Sequence, residues 1–109
     1  MNRKNGTMKE LSIVSTKHAR ERGQLRGIKM ATAELVMRFG KKSRGRGGKF
    51  LRRFTKNCVD RALSAGCSTQ AIEPAIGVSV ICDEATPGIR IMVSILPQNR
   101  RRYRLRVLR

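Results

Sequence analysis

The chain has no tryptophan, a single histidine (His18), three cysteines and only seven acidic residues in 109. Aromatics amount to three Phe and one Tyr. So few π-faces argue against the base-stacking platforms of RNA-recognition and single-strand-binding folds. One histidine and scattered Cys58, Cys67 and Cys82 do not supply the clustered ligands of a zinc site, and no metal or cofactor is expected. An odd cysteine count builds no disulfide framework; reduced thiols and a cytoplasmic location are the expectation. No apolar run approaches the length of a transmembrane helix, and Met1–Lys9 has no apolar run resembling a signal peptide. No membrane association is expected.

What is abundant is positive charge. Twenty-five Lys and Arg give a net charge of +18. It is unevenly spread: +14 over residues 1–56, −2 over 57–97 and +6 over 98–109. Such a chain repels itself unless it meets a polyanion, so nucleic acid is the leading partner, ribosomal RNA included. An acidic protein is the second. The length fits one domain spanning 1–109, with 1–9 as a polar lead-in and 98–109 as a basic last strand or tail.

Along the chain, Glu10–Val14 reads as a short strand or a helix approach. Ser15 or Thr16 caps a helix of about Thr16–Leu25, whose interior Gly23 loosens it. Met30–Phe39 has apolar residues at helical spacing and ends at Gly40, with Ile28, Leu35, Val36 and Phe39 as core. Lys41–Lys49 reads as a glycine-rich loop. Its five positive charges in nine residues favour phosphate gripping over a mere connector. It lacks the Gly-Lys-Ser/Thr ending of a nucleotide-binding loop. Residues 50–56 read either as a strand carrying Arg52 and Arg53 or as a helix running into Cys58–Ala65. Ser68–Pro74 reads as a loop or short turn. Ile76–Cys82 and Ile89–Leu96 are β-branched and flank a turn at Asp83–Gly88, which makes a hairpin. Asp83 and Glu84 are adjacent on that turn, where their side chains diverge, so they are not a catalytic carboxylate pair.

The one constellation with chemistry is on the first helix. His18, Arg22 and Arg26 are spaced by four and lie near one face. An imidazole titrates near neutrality, and guanidinium groups grip phosphate through paired N–H donors. Together they suit metal-free RNA cleavage, with His18 as base or acid and Arg22 and Arg26 against the phosphate. Lys17, Lys41, Lys42, Arg44, Arg46, Lys49, Arg52, Arg53 and Arg90 are the candidate RNA- and phosphate-binding residues. The competing reading is a structural histidine on an ordinary basic helix.

The pattern Ser15-x-x-His18-Ala19-x-x-Arg22-x-x-x-Arg26-Gly27-Ile28, followed by a helix ending at Gly40 and later strands, resembles an uncharacterised bacterial domain family. That family is grouped with the RelE/ParE-like toxins. The specific match covers about 26 residues, Ser15–Gly40. Beyond it, the chain is more basic than the pattern, and Cys58–Pro74 looks like an insertion. The resemblance implies a small α+β fold with two N-terminal helices packed on an antiparallel sheet. It also implies a toxin of a toxin–antitoxin pair, neutralised by a directly bound antitoxin. RelE-like members cut mRNA on the ribosome without metal, whereas ParE-like members inhibit gyrase. A non-catalytic, ribosome-associated or DNA-binding protein is the alternative that charge alone supports.

Overall fold

Thr16 sets the first boundary of the fold. Its side chain accepts from the Ala19 N–H, and its own backbone is extended, so the chain changes there from strand to helix. A computed structural model describes residues 11–97, and the lead-in and the basic segment 98–109 lie outside the described residues. Within them, the chain is an α+β domain with four helices and one five-stranded mixed sheet.

In chain order the elements are β1 (Ser12–Ser15), α1 (Lys17–Leu25), α2 (Met30–Phe39), β2 (Lys41–Arg44) and β3 (Phe50–Arg53). After a 3-10 turn at Lys56–Cys58 come α3 (Val59–Ser64) and α4 (Thr69–Ile72). A second 3-10 turn at Glu73–Ala75 leads into β4 (Ser79–Asp83) and β5 (Ile89–Ile95). The sheet order is β1-β5-β4-β3-β2. Strands β2 to β5 pair antiparallel, but β1 runs parallel to β5, so the sheet is mixed rather than antiparallel. The reason is topological: α1 and α2 carry the chain from one edge of the sheet to the other, and the three antiparallel pairings that follow bring β5 back beside β1.

Two other expectations are corrected, and one alternative left open by the sequence is resolved. Lys41–Lys49 is not wholly a loop: Lys41–Arg44 is an edge strand with every residue exposed. Only Gly45–Lys49 is the connection, closed by Gly45 N–H to Lys49 C=O and turned at Gly47 and Gly48, both at positive φ. Residues 50–65 satisfy both alternatives in turn, a strand to Arg53 and then a helix from Val59. Ser68–Pro74 holds a short helix, capped by Ser68 accepting from Ala71 N–H.

The end of α1 explains the Arg26-Gly27-Ile28 sequence physically. The Ile28 N–H reaches the Gly23 carbonyl at 2.8 Å, Gly27 has φ +69°, and Ile28 is buried. This is a Schellman-type termination, in which a left-handed glycine is followed by an apolar residue that folds onto the core. Ala19 and Gly23 form the buried stripe of α1. A side chain at Gly23 would collide with Met30 Cε, the Ile28 carbonyl and Ile95 Cδ1, so α1 is seated close against β5 and the start of α2. A register shift at Ile81/Cys82 leaves Val93 without a partner on β4 and marks a bulge on β5. There Thr16 donates its N–H to Met92 C=O and its hydroxyl to Val93 C=O, fixing where α1 begins.

Thr32, Ala33, Leu35, Val36 and Met37 are the buried residues of α2. The core joins Val36 and Met37 to Phe54, Ile72, Val78, Val80, Cys82, Met92 and Ile95. Of the expected core residues, Ile28, Leu35 and Val36 are buried, and Phe39 packs partly buried against them.

Candidate phosphate-handling site

The residues singled out by sequence fall into two groups that the fold sets apart. The first is on α1. His18 is exposed, and its Nε2 accepts from Arg22 Nε at 3.4 Å. The four-residue spacing on a continuous helix brings the two together. Arg26 does not extend the face. It is the cap residue after Leu25, with φ −97° and ψ 6°, and its Nε and Nη1 are buried with no hydrogen-bond partner among the described residues. Lys17 opens the helix and is exposed.

The second group is at the opposite edge of the sheet. Lys41, Lys42 and Arg44 stand on β2, Arg46 and Lys49 on the connection, and Arg52 and Arg53 on β3. The register pairs Lys41 with Arg53 and Lys42 with Arg52, so cations face each other across the two strands. Like charges directly opposite destabilise a strand pair, which makes the hairpin costly unless anions are near. Arg53 instead turns its Nε to Ser79 Oγ at 3.2 Å.

Arg52 lies on the line Lys42–Arg52–Val80–Ile95 across the sheet. Val80 and Ile95 are core residues, so this position points Arg52 inward, where it is only 7% exposed. A buried guanidinium requires a partner, and the partner is Glu84. Arg52 Nε and Nη2 donate to the two carboxylate oxygens at 2.6 and 3.0 Å, and Nη1 donates to Gly40 C=O at 3.0 Å. Arg90, on β5, places Nε 3.8 Å from Glu84 Oε1 and donates Nη1 to Met37 C=O. Lys42 Nζ stands 3.6 Å from the same Oε1 and 4.5 Å from the Phe50 ring centroid. The Cys82 thiol donates to Glu84 Oε2 at 3.1 Å.

One carboxylate therefore serves three cations and a thiol, and the titration behaviour follows. Burial alone would raise the Glu84 carboxyl. The Arg52 and Cys82 hydrogen bonds and the charges of Arg52 and Arg90 overcome it and hold the group down at about 2. Burial first, then the Glu84 hydrogen bond and charge, push the Cys82 thiol up to about 12. Burial would lower Arg52, but Glu84 outweighs it, so Arg52 is raised. Arg90 is lowered by burial and then by the like charge of Arg52.

Asp83 and Glu84 do diverge: Asp83 lies 4.0 Å from Lys49, while Glu84 turns inward. Sequence reasoning misses Glu84 as the centre of the second group. One signal for it exists, since Arg52 alternates with Phe50 on β3, which marks an inward charge that needs an acceptor.

No three His, Cys, Asp or Glu side chains gather to hold a metal ion among the described residues, and none of the described helices is long and apolar enough to cross a membrane. In comparisons with known proteins, the chain matches no protein-family model, no curated protein and no solved structure.

Proposed function

We propose that the chain is a RelE-type toxin that binds RNA along the basic β2–β3 edge and cleaves it without metal at α1. The observation that carries this reading is the exposed His18–Arg22 pair, a proton acceptor and a phosphate-binding cation within 3.4 Å of each other. Arg22 turns from the long His18 contact to the phosphate, and the freed Nε2 of His18 takes the proton of a ribose 2′-hydroxyl. That oxygen attacks the adjacent phosphorus, the bond to the 5′ oxygen breaks, and the leaving oxygen takes a proton from water. The products are a 2′,3′-cyclic phosphate and a 5′-hydroxyl. Arg22 stabilises the charge that builds on the phosphoryl oxygens. Arg26 joins it by swinging its unpaired guanidinium outward. Two helices followed by strands is the order that the RelE/ParE-like resemblance implies, and this order supports the reading. In that setting the partners are mRNA on the ribosome and an acidic antitoxin that covers the basic edge, in the cytoplasm.

A second reading is favoured by a specific observation. His18 sits on the helix over β5, whereas the hairpin cations lie beyond β4, on β3, β2 and their connection, so the two groups do not converge. A non-catalytic nucleic-acid-binding protein needs only the hairpin. Purified protein on RNA and on translating ribosomes, with EDTA present, separates the two. His18-dependent cleavage supports the toxin; salt-sensitive binding without cleavage supports the binder. Blocked supercoiling with intact RNA would instead indicate gyrase inhibition.

A further inference from the structure

We infer that Lys42 and Arg90 form a seat for a single phosphate group beside the C-terminal end of α2, with Glu84 as the internal counter-ion that holds the seat in shape. This rests on the polyanion-binding part of the proposed function and not on cleavage.

Lys42 Nζ and Arg90 Nε both lie within 4 Å of Glu84 Oε1, so they are less than 8 Å apart, a span that one phosphate bridges. Neither is used up by Glu84. Lys42 is nearly half exposed, and its nitrogen is too far from Oε1 for a hydrogen bond. Arg90 gives Glu84 only a long ion pair and commits Nη1 to a backbone carbonyl. Arg52, by contrast, is saturated by Glu84 and Gly40 and acts as a fixed charge behind the seat.

The charge balance points to an anion. Arg52 and Arg38 both oppose the charge on Arg90, and Lys42 adds a further cation, against the single Glu84 carboxylate. Surplus positive charge held on rigid strands is relieved when a phosphate enters, without reorganisation of the protein. The negative end of the α2 dipole does not forbid this. The carbonyls of Met37 and Gly40 are already bonded by Arg90 and Arg52. A dianionic phosphate offers several acceptor oxygens to the two donors, which a carboxylate does not match.

The test is a titration of the full chain with inorganic phosphate, followed by amide NMR shifts at constant ionic strength. Saturable shifts are expected at residues 37–42, 52, 84 and 90. Lys42→Met should weaken binding about tenfold, whereas the control Arg61→Met, exposed on α3 and with the same loss of charge, should stay within twofold. Arg90→Gln serves as the second variant, its fold checked by the same spectrum. Diffuse, non-saturating shifts, or equal weakening by Arg61→Met, would overturn the seat. Competition by short RNA then names the phosphate source. Displacement by both 5′-hydroxyl and 5′-phosphorylated oligomers means backbone phosphate, displacement by the phosphorylated one alone means a terminal phosphate, and displacement by neither means free phosphate. Each of these counts only with the Lys42 dependence in place. RNA binding that persists while the phosphate shifts fail would overturn the seat and leave the nucleic-acid reading intact.

Discussion

Glu84→Gln is the substitution whose effect the structure fixes most tightly. The carboxylate accepts two hydrogen bonds from Arg52, and both side chains are less than a tenth exposed. Glutamine keeps the shape and one acceptor but leaves the Arg52 guanidinium as a buried, uncompensated charge. Breaking one side of a buried ion pair costs roughly 3–5 kcal/mol, and the remaining amide interaction puts the expectation at about 3 kcal/mol. For a domain of this size that is roughly a 15 °C fall in the unfolding midpoint. The depressed titration of Glu84, which has the same Arg52 contacts as its main cause, gives a matching figure. A carboxyl that titrates near 4.5 when unfolded and at about 2 when folded stabilises the fold by about 3 kcal/mol at neutral pH. The folded pKa is the lower one, so this contribution is fully present above pH 4.5 and is lost as the pH falls from 4.5 towards 2. Urea unfolding at pH 7 and across pH 2–5 measures both. The wild type should lose stability steeply over that acid range, and Glu84→Gln should start lower and lose correspondingly less. A cost below about 0.5 kcal/mol at pH 7, or an unchanged acid slope, would refute the buried pair.

Three further outcomes follow from the same geometry. Gly23→Ala should destabilise the protein by about 1–3 kcal/mol in urea melts although alanine is the better helix former, because the added carbon meets Met30, Ile28 and Ile95 at 2.8–3.0 Å. Arg26→Met should leave stability unchanged or raise it by about 1 kcal/mol, since it removes buried N–H groups that have no acceptor among the described residues; under the proposed function the same change lowers RNA cleavage. Replacing Lys41, Arg44 and Arg46 by Gln should flatten the salt dependence of single-strand binding by about 0.7 for each phosphate no longer neutralised, measured as log affinity against log salt.

Much of the fold is legible in the sequence where local chemistry and tertiary structure agree. Thr16 as a cap, Gly27 as a helix end, and the β-branched runs around Pro87-Gly88 each announce their element through backbone preferences that need no distant partner, whereas Gly40 ends α2 in extended backbone with the Arg53 main chain close against it. β2 is not legible in this way. Lys41–Arg44 has no apolar alternation, because an edge strand with all its side chains in solvent needs only backbone pairing to β3, and its charges discourage a further strand from adding there. Helix α4 is four residues long, too short to show a period, and only its Ser68 cap signals it. In the candidate site, the His18–Arg22 pair is legible because four residues along a helix is a local distance. Arg26 falls outside that pair because the helix ends one residue before it. The Glu84 cluster joins the carboxylate to Arg52, 32 residues earlier in the chain, and to Arg90 on the neighbouring strand through the sheet register, and no local pattern encodes that. The Gly27-Ile28 part of the signature has a structural explanation in the termination of α1, so the functional weight rests on His18 and Arg22.

The most direct test of the central claim is cleavage of a defined RNA by purified protein, alone and on translating ribosomes, with EDTA present throughout, comparing wild type with His18→Ala. His18 is exposed on α1 and its side chain bonds to Arg22 one turn along the same helix, so the substitution should leave the fold and RNA affinity within about twofold. Cleavage by the wild type should leave 2′,3′-cyclic phosphate ends and fall about a hundredfold or more in His18→Ala, in line with the loss of a general base. Equal cleavage by both proteins, or tight binding with no cleavage by either, would contradict the assignment of His18 as the base.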